Sequence, residues 1–160
     1  MNNIADNIKQ RLSMREPLCE ALDVVVQITD RLTLNKSPEE IDAASVFLKE
    51  ELAKVSELFP GCTGFDRDFP SLAFSIATGV GKTRLMGACI TYLYLKKGIR
   101  HFFVLAPNLT LYEKLIRDFG DPGYSKYVFN GIAEFVHNRP KVITGDNYTQ
   151  AIGLFTDAEV

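Results

Sequence analysis

The run Gly79-Val80-Gly81-Lys82-Thr83 restricts the fold of this chain more than any other feature. Before it stands the short apolar stretch Leu72-Ala73-Phe74-Ser75-Ile76-Ala77, which suits a buried strand. After it, Leu85, Met86, Cys89, Ile90, Leu93 and Tyr94 recur at helical spacing, with Lys96 and Lys97 in the last turn and Gly98 as the stop. Strand, glycine loop and helix in that order form the setting of a phosphate-binding P-loop. The physical reason is local. Backbone N–H groups converge on a phosphate only if the chain curls tightly and closely around it, which favours glycine at 79 and 81. The helix start adds free N–H groups and the positive end of its dipole. Lys82 supplies a full charge, and the Thr83 hydroxyl is placed to ligate Mg²⁺. The candidate binding residues are therefore Thr78, Gly79, Val80, Gly81, Lys82 and Thr83, with Thr83 also the metal-ligating candidate. The strict pattern G-x-x-x-x-G-K-[ST] is missed at one position, because Ile76 stands at the first glycine.

The rest of the chain places this loop in a larger pattern. Residues 1–60 read as a helical segment. Residues 3–12 form a short amphipathic stretch. Leu18, Leu22, Val25, Val26, Thr29 and Leu32 make a helical stripe behind Pro17. Ser37-Pro38-Glu39-Glu40 is a capping box opening a third helix, whose stripe is Ile41, Ala44, Leu48, Leu52, Val55 and Phe59. Pro60 and Gly61 end it. Beyond the loop, His101-Phe102-Phe103-Val104-Leu105-Ala106 reads as a second buried strand. Thr110-x-x-Glu113 reads as a capping box for a helix ending at Gly120. Tyr127-Val128-Phe129 and Lys141-Val142-Ile143-Thr144 read as further strands, the latter followed by the turn Gly145-Asp146-Asn147. Alternating strands and helices predict an α/β fold. The element order means a parallel sheet with flanking helices, preceded by the N-terminal helical segment.

Composition narrows the function classes. The chain has 160 residues, 46% of them apolar and 24% charged, with a formal charge of −2. That profile belongs to a globular domain with a core, not a disordered chain, and carries no global basic excess. Cys19, Cys62 and Cys89 show neither zinc-site nor CxxC spacing and read as free thiols of a reducing compartment. The polar first ten residues predict no signal peptide, and no apolar run approaches a membrane span, so a cytoplasmic protein is expected. His101 and His137 are expected to be structural, and Lys96, Lys97 and Arg100 a solvated helix end.

Ala77-Thr78-Gly79-Val80-Gly81-Lys82-Thr83 resembles motif I of superfamily 2 helicases in the "ATGTGKT" form of restriction-enzyme motor subunits, where an apolar residue at the place of Ile76 is normal. Residues 103–115 resemble the strand and motif Ia that follow. Residues 69–119 most specifically resemble the DEAD/DEAH-type restriction (R) subunits of type III restriction enzymes. The resemblance implies ATP and Mg²⁺ as cofactors, DNA as the partner of the full-length protein, and a modification subunit as a second partner. It implies that the sheet is a P-loop (RecA-like) parallel sheet, incomplete within the chain, that residues 61–160 are the first, truncated part of a helicase/ATPase motor domain, and that Pro107, Asn108 and Thr110 touch a nucleic-acid backbone. From chemistry alone, Thr110 caps a helix and Asn108 fills a turn.

Two departures shape the expectations. Met14-Arg15-Glu16-Pro17-Leu18 resembles an "LRPYQ-like" segment, but Leu18 replaces the glutamine that reads adenine, which predicts loose base selectivity. No DExx box follows the loop; Asp157-Ala158-Glu159-Val160 lacks the glutamate and a preceding strand. The catalytic residues are thus unassigned, and the chain is read as the N-terminal fragment of a longer ATP-dependent helicase or translocase, inactive alone. A small P-loop kinase and a non-catalytic nucleotide-sensing module are the alternatives. The kinase should carry an arginine-rich lid after the sheet, and the tail from Asn147 onward has none.

Overall fold

The computed structural model describes residues 3–34 and 44–151. It divides into two compact units, Met1–Arg100 and His101–Val160.

Among the described residues the first unit holds the helices α1 (Asn3–Arg11), α2 (Glu16–Arg31), α3 (Ala44–Leu58) and α4 (Lys82–Lys97). α2 starts as its sequence requires, with Pro17 in the first turn, where a missing N–H costs nothing. It buries Leu18, Ala21, Leu22, Val25, Val26, Ile28 and Thr29, the stripe expected from its spacing with Ala21 and Ile28 added and without Leu32, which is half-buried just past the helix end. Ile8 and Leu12 reach this core from the α1 side, Val55 from α3, and Leu85, Ala88 and Tyr92 from α4. α4 packs on both α1 and α2, whereas α3 packs on α2. The capping box Ser37-Pro38-Glu39-Glu40 and Ile41 lie outside the described residues. The end of α3 is where Pro60 and Gly61 place it, with the Phe59 N–H closing onto the Val55 carbonyl at 2.8 Å.

α3 also buries a carboxylate. Glu51 accepts from the Thr33 N–H at 2.8 Å and from Lys54 Nζ at 2.5 Å. Burial opposes the charged form, but these hydrogen bonds outweigh it and hold the Glu51 carboxyl below its ordinary range. A buried charge is tolerable only when bonded in this way.

The second unit holds α5 (Leu109–Gly120) and two short helices, α6 (Glu134–His137) and α7 (Tyr148–Ala151). Its core is a small aromatic cluster. Phe129 meets Phe119 edge-on at 5.6 Å, Phe135 at 4.8 Å and Tyr127 at 5.6 Å between ring centroids. Val128 and Ile132 complete it. Asn147 ties the turn before α7, accepting from the Thr144 N–H at 2.7 Å and donating to the Val142 carbonyl at 3.2 Å.

The predicted α/β fold is contradicted. Among the described residues there is no strand, and so no parallel sheet. The stretches 72–77, 101–106 and 141–144 run as irregular chain, and Tyr127-Val128-Phe129 enters a turn. Apolar, β-branched and aromatic residues give a stretch the preference for a pleated surface, but a strand exists only through the ladder of a neighbour. Without that ladder the apolar side chains are not covered: Phe103 is 89% exposed and Leu105 76%, and Leu72, Phe74 and Ile143 are also exposed. At 127–129 a three-residue apolar run is too short to show periodicity, and its rings serve the aromatic cluster instead.

Candidate phosphate-binding site

The glycine loop folds as its composition demands. Gly79 has φ 79° and Gly81 φ 116°, both in the left-handed region that L side chains adopt at a cost. The two positions differ in their surroundings. A Cβ on Gly79 would meet nothing within 4 Å. A Cβ on Gly81 would lie 3.2 Å from Leu18 Cδ1 and 3.9 Å from Arg84 Cβ. Gly81 is the N-cap of α4, and no side chain caps the helix. The N–H groups of Arg84 and Leu85 both close onto the Gly81 carbonyl, at 2.9 and 3.2 Å. Lys82 is exposed, and its Nζ folds back to the Ala77 carbonyl at 3.1 Å, across the mouth of the loop. Thr78 is exposed, and Val80 and Thr83 are half-buried. The six predicted binding residues therefore form one continuous turn and helix start.

What holds this turn in place is the packing of α4. The expected apolar face was Leu85, Met86, Cys89, Ile90, Leu93 and Tyr94. The buried face is Leu85, Gly87, Ala88, Thr91 and Tyr92. Periodicity chose wrongly because α4 is apolar on most of its circumference, so size decides. Gly87 and Ala88 allow the neighbouring helices to come close, and Tyr92 fills the space beyond. Thr91 satisfies its hydroxyl on the Gly87 carbonyl at 2.7 Å. Half-buried Cys89 has its thiol pushed up to about 11 by desolvation, which makes it an unreactive thiol at neutral pH.

Polar contacts fix both ends of α4. At its start, Arg84 Nη1 donates to the Ser13 carbonyl at 3.3 Å, in the turn between α1 and α2. Ser13 itself has φ 46°. At its end, Asp30 of α2 accepts from the Tyr92 hydroxyl at 3.0 Å and pairs with Lys97 at 2.9 Å. Burial raises the Asp30 carboxyl, but the hydrogen bonds from Lys97 and Tyr92 prevail and hold it below the ordinary range.

These residues fit a polyphosphate with a divalent cation. An uncapped helix start, two left-handed glycines and a lysine lying over the loop offer N–H donors and a positive charge to phosphate oxygens. Thr83, at the second helical position, offers a neutral oxygen suited to a hard cation.

The predicted nucleic-acid residues lie in the second unit. Pro107, Asn108 and Thr110 are all exposed. Asn108, not Thr110, is the N-cap of α5: its Oδ1 accepts from the Leu111 N–H at 2.9 Å. Thr110 is already inside the helix, so the Thr110-x-x-Glu113 capping box is displaced by two residues. Either Asn or Thr can cap, and Asn108 takes the position because it stands first and is extended, with φ −154° and ψ 165°. Asp157 and Glu159 lie outside the described residues.

Sequence reasoning missed the approach of Leu18 to Gly81 and the bond of the Ser13 carbonyl with Arg84 in α4. Leu18 was visible as a stripe residue, but no periodicity shows which helix it meets.

The family model of the type III restriction enzyme res subunit matches residues 21–157, and the chain belongs to that helicase-type family. A probable type III restriction-modification enzyme HindVIP Res subunit from Haemophilus influenzae is 39% identical over 70 residues, covering 39% of this chain and 13% of that protein. The chain thus spans a small part of the length of the curated relative it matches. No solved structure matches it. Among the described residues no helix is long and apolar enough to cross a membrane.

Proposed function

We propose that residues 76–83 hold the triphosphate of a nucleotide, most naturally ATP with Mg²⁺, in the motor of a DNA-translocating type III restriction enzyme. The observation that carries this reading is the start of α4: an uncapped helix entered through Gly79 and Gly81, with Lys82 folded over the loop. Thr78, Gly79, Val80 and Gly81 shape the cradle. Lys82 exchanges the Ala77 carbonyl for phosphate oxygens, and Thr83 ligates the metal. Each charge-assisted hydrogen bond contributes about 1.5–3 kcal/mol, so a few give micromolar affinity.

DNA and a modification subunit are the partners of the whole protein in this reading. It is supported by family membership and by the likeness to the Haemophilus Res subunit. Pro107, Asn108 and Thr110 are the proposed backbone contacts. With its side-chain oxygen engaged by the helix cap, Asn108 has its amide NH₂ left to donate to a phosphate.

The chain itself binds nucleotide without turning it over. Hydrolysis also needs a carboxylate to position water and a cation against the charge developing on the γ-phosphate, and an arginine finger is worth roughly 10³–10⁵ in rate. The test is titration of a fluorescent ATP analogue with Mg²⁺ against the chain and Lys82→Ala, with circular dichroism on both. The expected result is loss of most affinity with the fold intact. Equal binding by the two forms sinks the assignment.

A further inference from the structure

We propose that Leu18 is a positioning residue for the phosphate loop, acting through Gly81 rather than on any base. The proposal rests on the reading of residues 76–83 as a triphosphate site and adds the element that sets its shape.

Leu18 stands in the first turn of α2 and is 1% exposed. A side chain so enclosed has no route to a base edge. A Cβ built on Gly81 would come within 3.2 Å of the Leu18 Cδ1. That is inside ordinary van der Waals separation for two carbons. Gly81 is therefore limited twice: by its own φ of 116°, and by Leu18 closing the space beside it.

The seat of Leu18 is itself built. The Leu18 N–H donates to the Arg15 carbonyl at 2.9 Å, closing the first turn of α2. The adjoining turn between α1 and α2 is tied to the first turn of α4 through Arg84 and the Ser13 carbonyl at 3.3 Å. The same short region thus meets Gly81 by packing and the first turn of α4 by a hydrogen bond. Gly81 is the residue at which the loop changes from left-handed turn to helix, so its torsions aim the first N–H groups of α4. If the support behind it is removed, those donors lose their fixed direction, and what is lost is affinity for phosphate. Base preference does not change, because nothing in this contact touches a base.

The experiment compares Leu18→Ala with Val25→Ala in the 160-residue chain. Val25 lies on the same helix, is 5% exposed, and shortens to the same residue. Both variants lower Tm through the cavity they leave. Affinity is measured for ATP, GTP and inorganic tripolyphosphate, each with Mg²⁺, at a temperature where circular dichroism shows both variants folded. Leu18→Ala is expected to weaken all three ligands by the same factor of about ten, equivalent to about 1.4 kcal/mol, with the ATP-to-GTP ratio unchanged. Val25→Ala is expected to leave all three unchanged. Leu18→Met, which keeps the volume, restores binding. Equal affinity in Leu18→Ala and the unaltered chain overturns the proposal, as does equal weakening by Val25→Ala. A changed ATP-to-GTP ratio with tripolyphosphate unaffected also overturns it and makes Leu18 a base-side residue. Failure of the unaltered chain to bind any of the three defeats the triphosphate site itself, and the positioning role with it.

Discussion

The helices α4 and α5 begin in opposite ways. α5 opens behind Asn108, an extended residue whose side chain satisfies the Leu111 N–H three positions on. α4 opens behind Gly81, a left-handed residue with no side chain to offer. A capped start completes its own hydrogen bonding and needs no ligand. An uncapped start leaves donors to be met by water or by an anion. The two starts differ also in what fixes them. Asn108 acts on its own helix, whereas Gly81 is set by Leu18, more than sixty positions earlier in the chain. Capping chemistry is local; a cradle for a ligand is held from outside.

That contrast can be broken most severely at Gly81. Gly81→Ala combines left-handed strain with overlap onto Leu18, and should cost about 2–4 kcal/mol. Chemical denaturation measures it, and the same variant should lose triphosphate binding. Gly79→Ala tests the other half of the loop. Open space surrounds that position, so only the backbone strain of about 1–2 kcal/mol is expected. A loss as large as at Gly81 would mean that Leu18 contributes nothing to the difference. Asn108→Ala should cost about 1 kcal/mol of stability, read in the melting of the chain, with triphosphate affinity unchanged. A fall in affinity there would make the two helix starts one site.

Acid gives the smallest effect. Glu51 and Asp30 both lie in the unit of α4, and both carboxyls are held below their ordinary values of 4.5 and 3.8. The unfolded chain therefore takes up protons first as pH falls. Their contribution is complete above those ordinary values and disappears as pH drops through the lower folded ones. Asp30 is well exposed, so screening leaves the joint effect near 1 kcal/mol. Denaturation midpoints at pH 6 and pH 3 for the unaltered chain and Glu51→Gln measure it. The variant should lose part of the acid sensitivity, and an unchanged slope would show that the carboxyl is already neutral.

The left-handed turn at Gly79 and Gly81 and the sharp end of α3 were legible because their signals are local. Gly79 and Gly81 declare positive φ by being glycine, and Pro60 with Gly61 stops a helix wherever it occurs. The buried face of α4 was not legible, since Leu93 and Tyr94 are as apolar as Leu85 and Tyr92, and only the neighbouring helices choose between them. The sheet was misread for a related reason. Phe102-Phe103-Val104-Leu105 has the composition of a strand, but pairing is a property of two segments, and composition describes one. Asn108 and Thr110 were confused because both can cap and stand two positions apart.

Asp30 joins Tyr92 and Lys97 at one end of α4, while Ser13 and Leu18 meet Arg84 and Gly81 at the other. Two helices pinned at both ends cannot open separately. Amide exchange along α2 and α4 should therefore report one shared opening free energy, with no fraying of α4 from its N-terminal end. Asp30→Asn should lower that shared value across both helices together. Exchange that speeds up only in the last turn of α4 would show that the far pin holds nothing beyond its own neighbours. Under the shared value, the rate at which the chain exposes the first turns of α4 to proteases is decided about a helix length away, at the Asp30 carboxylate of α2.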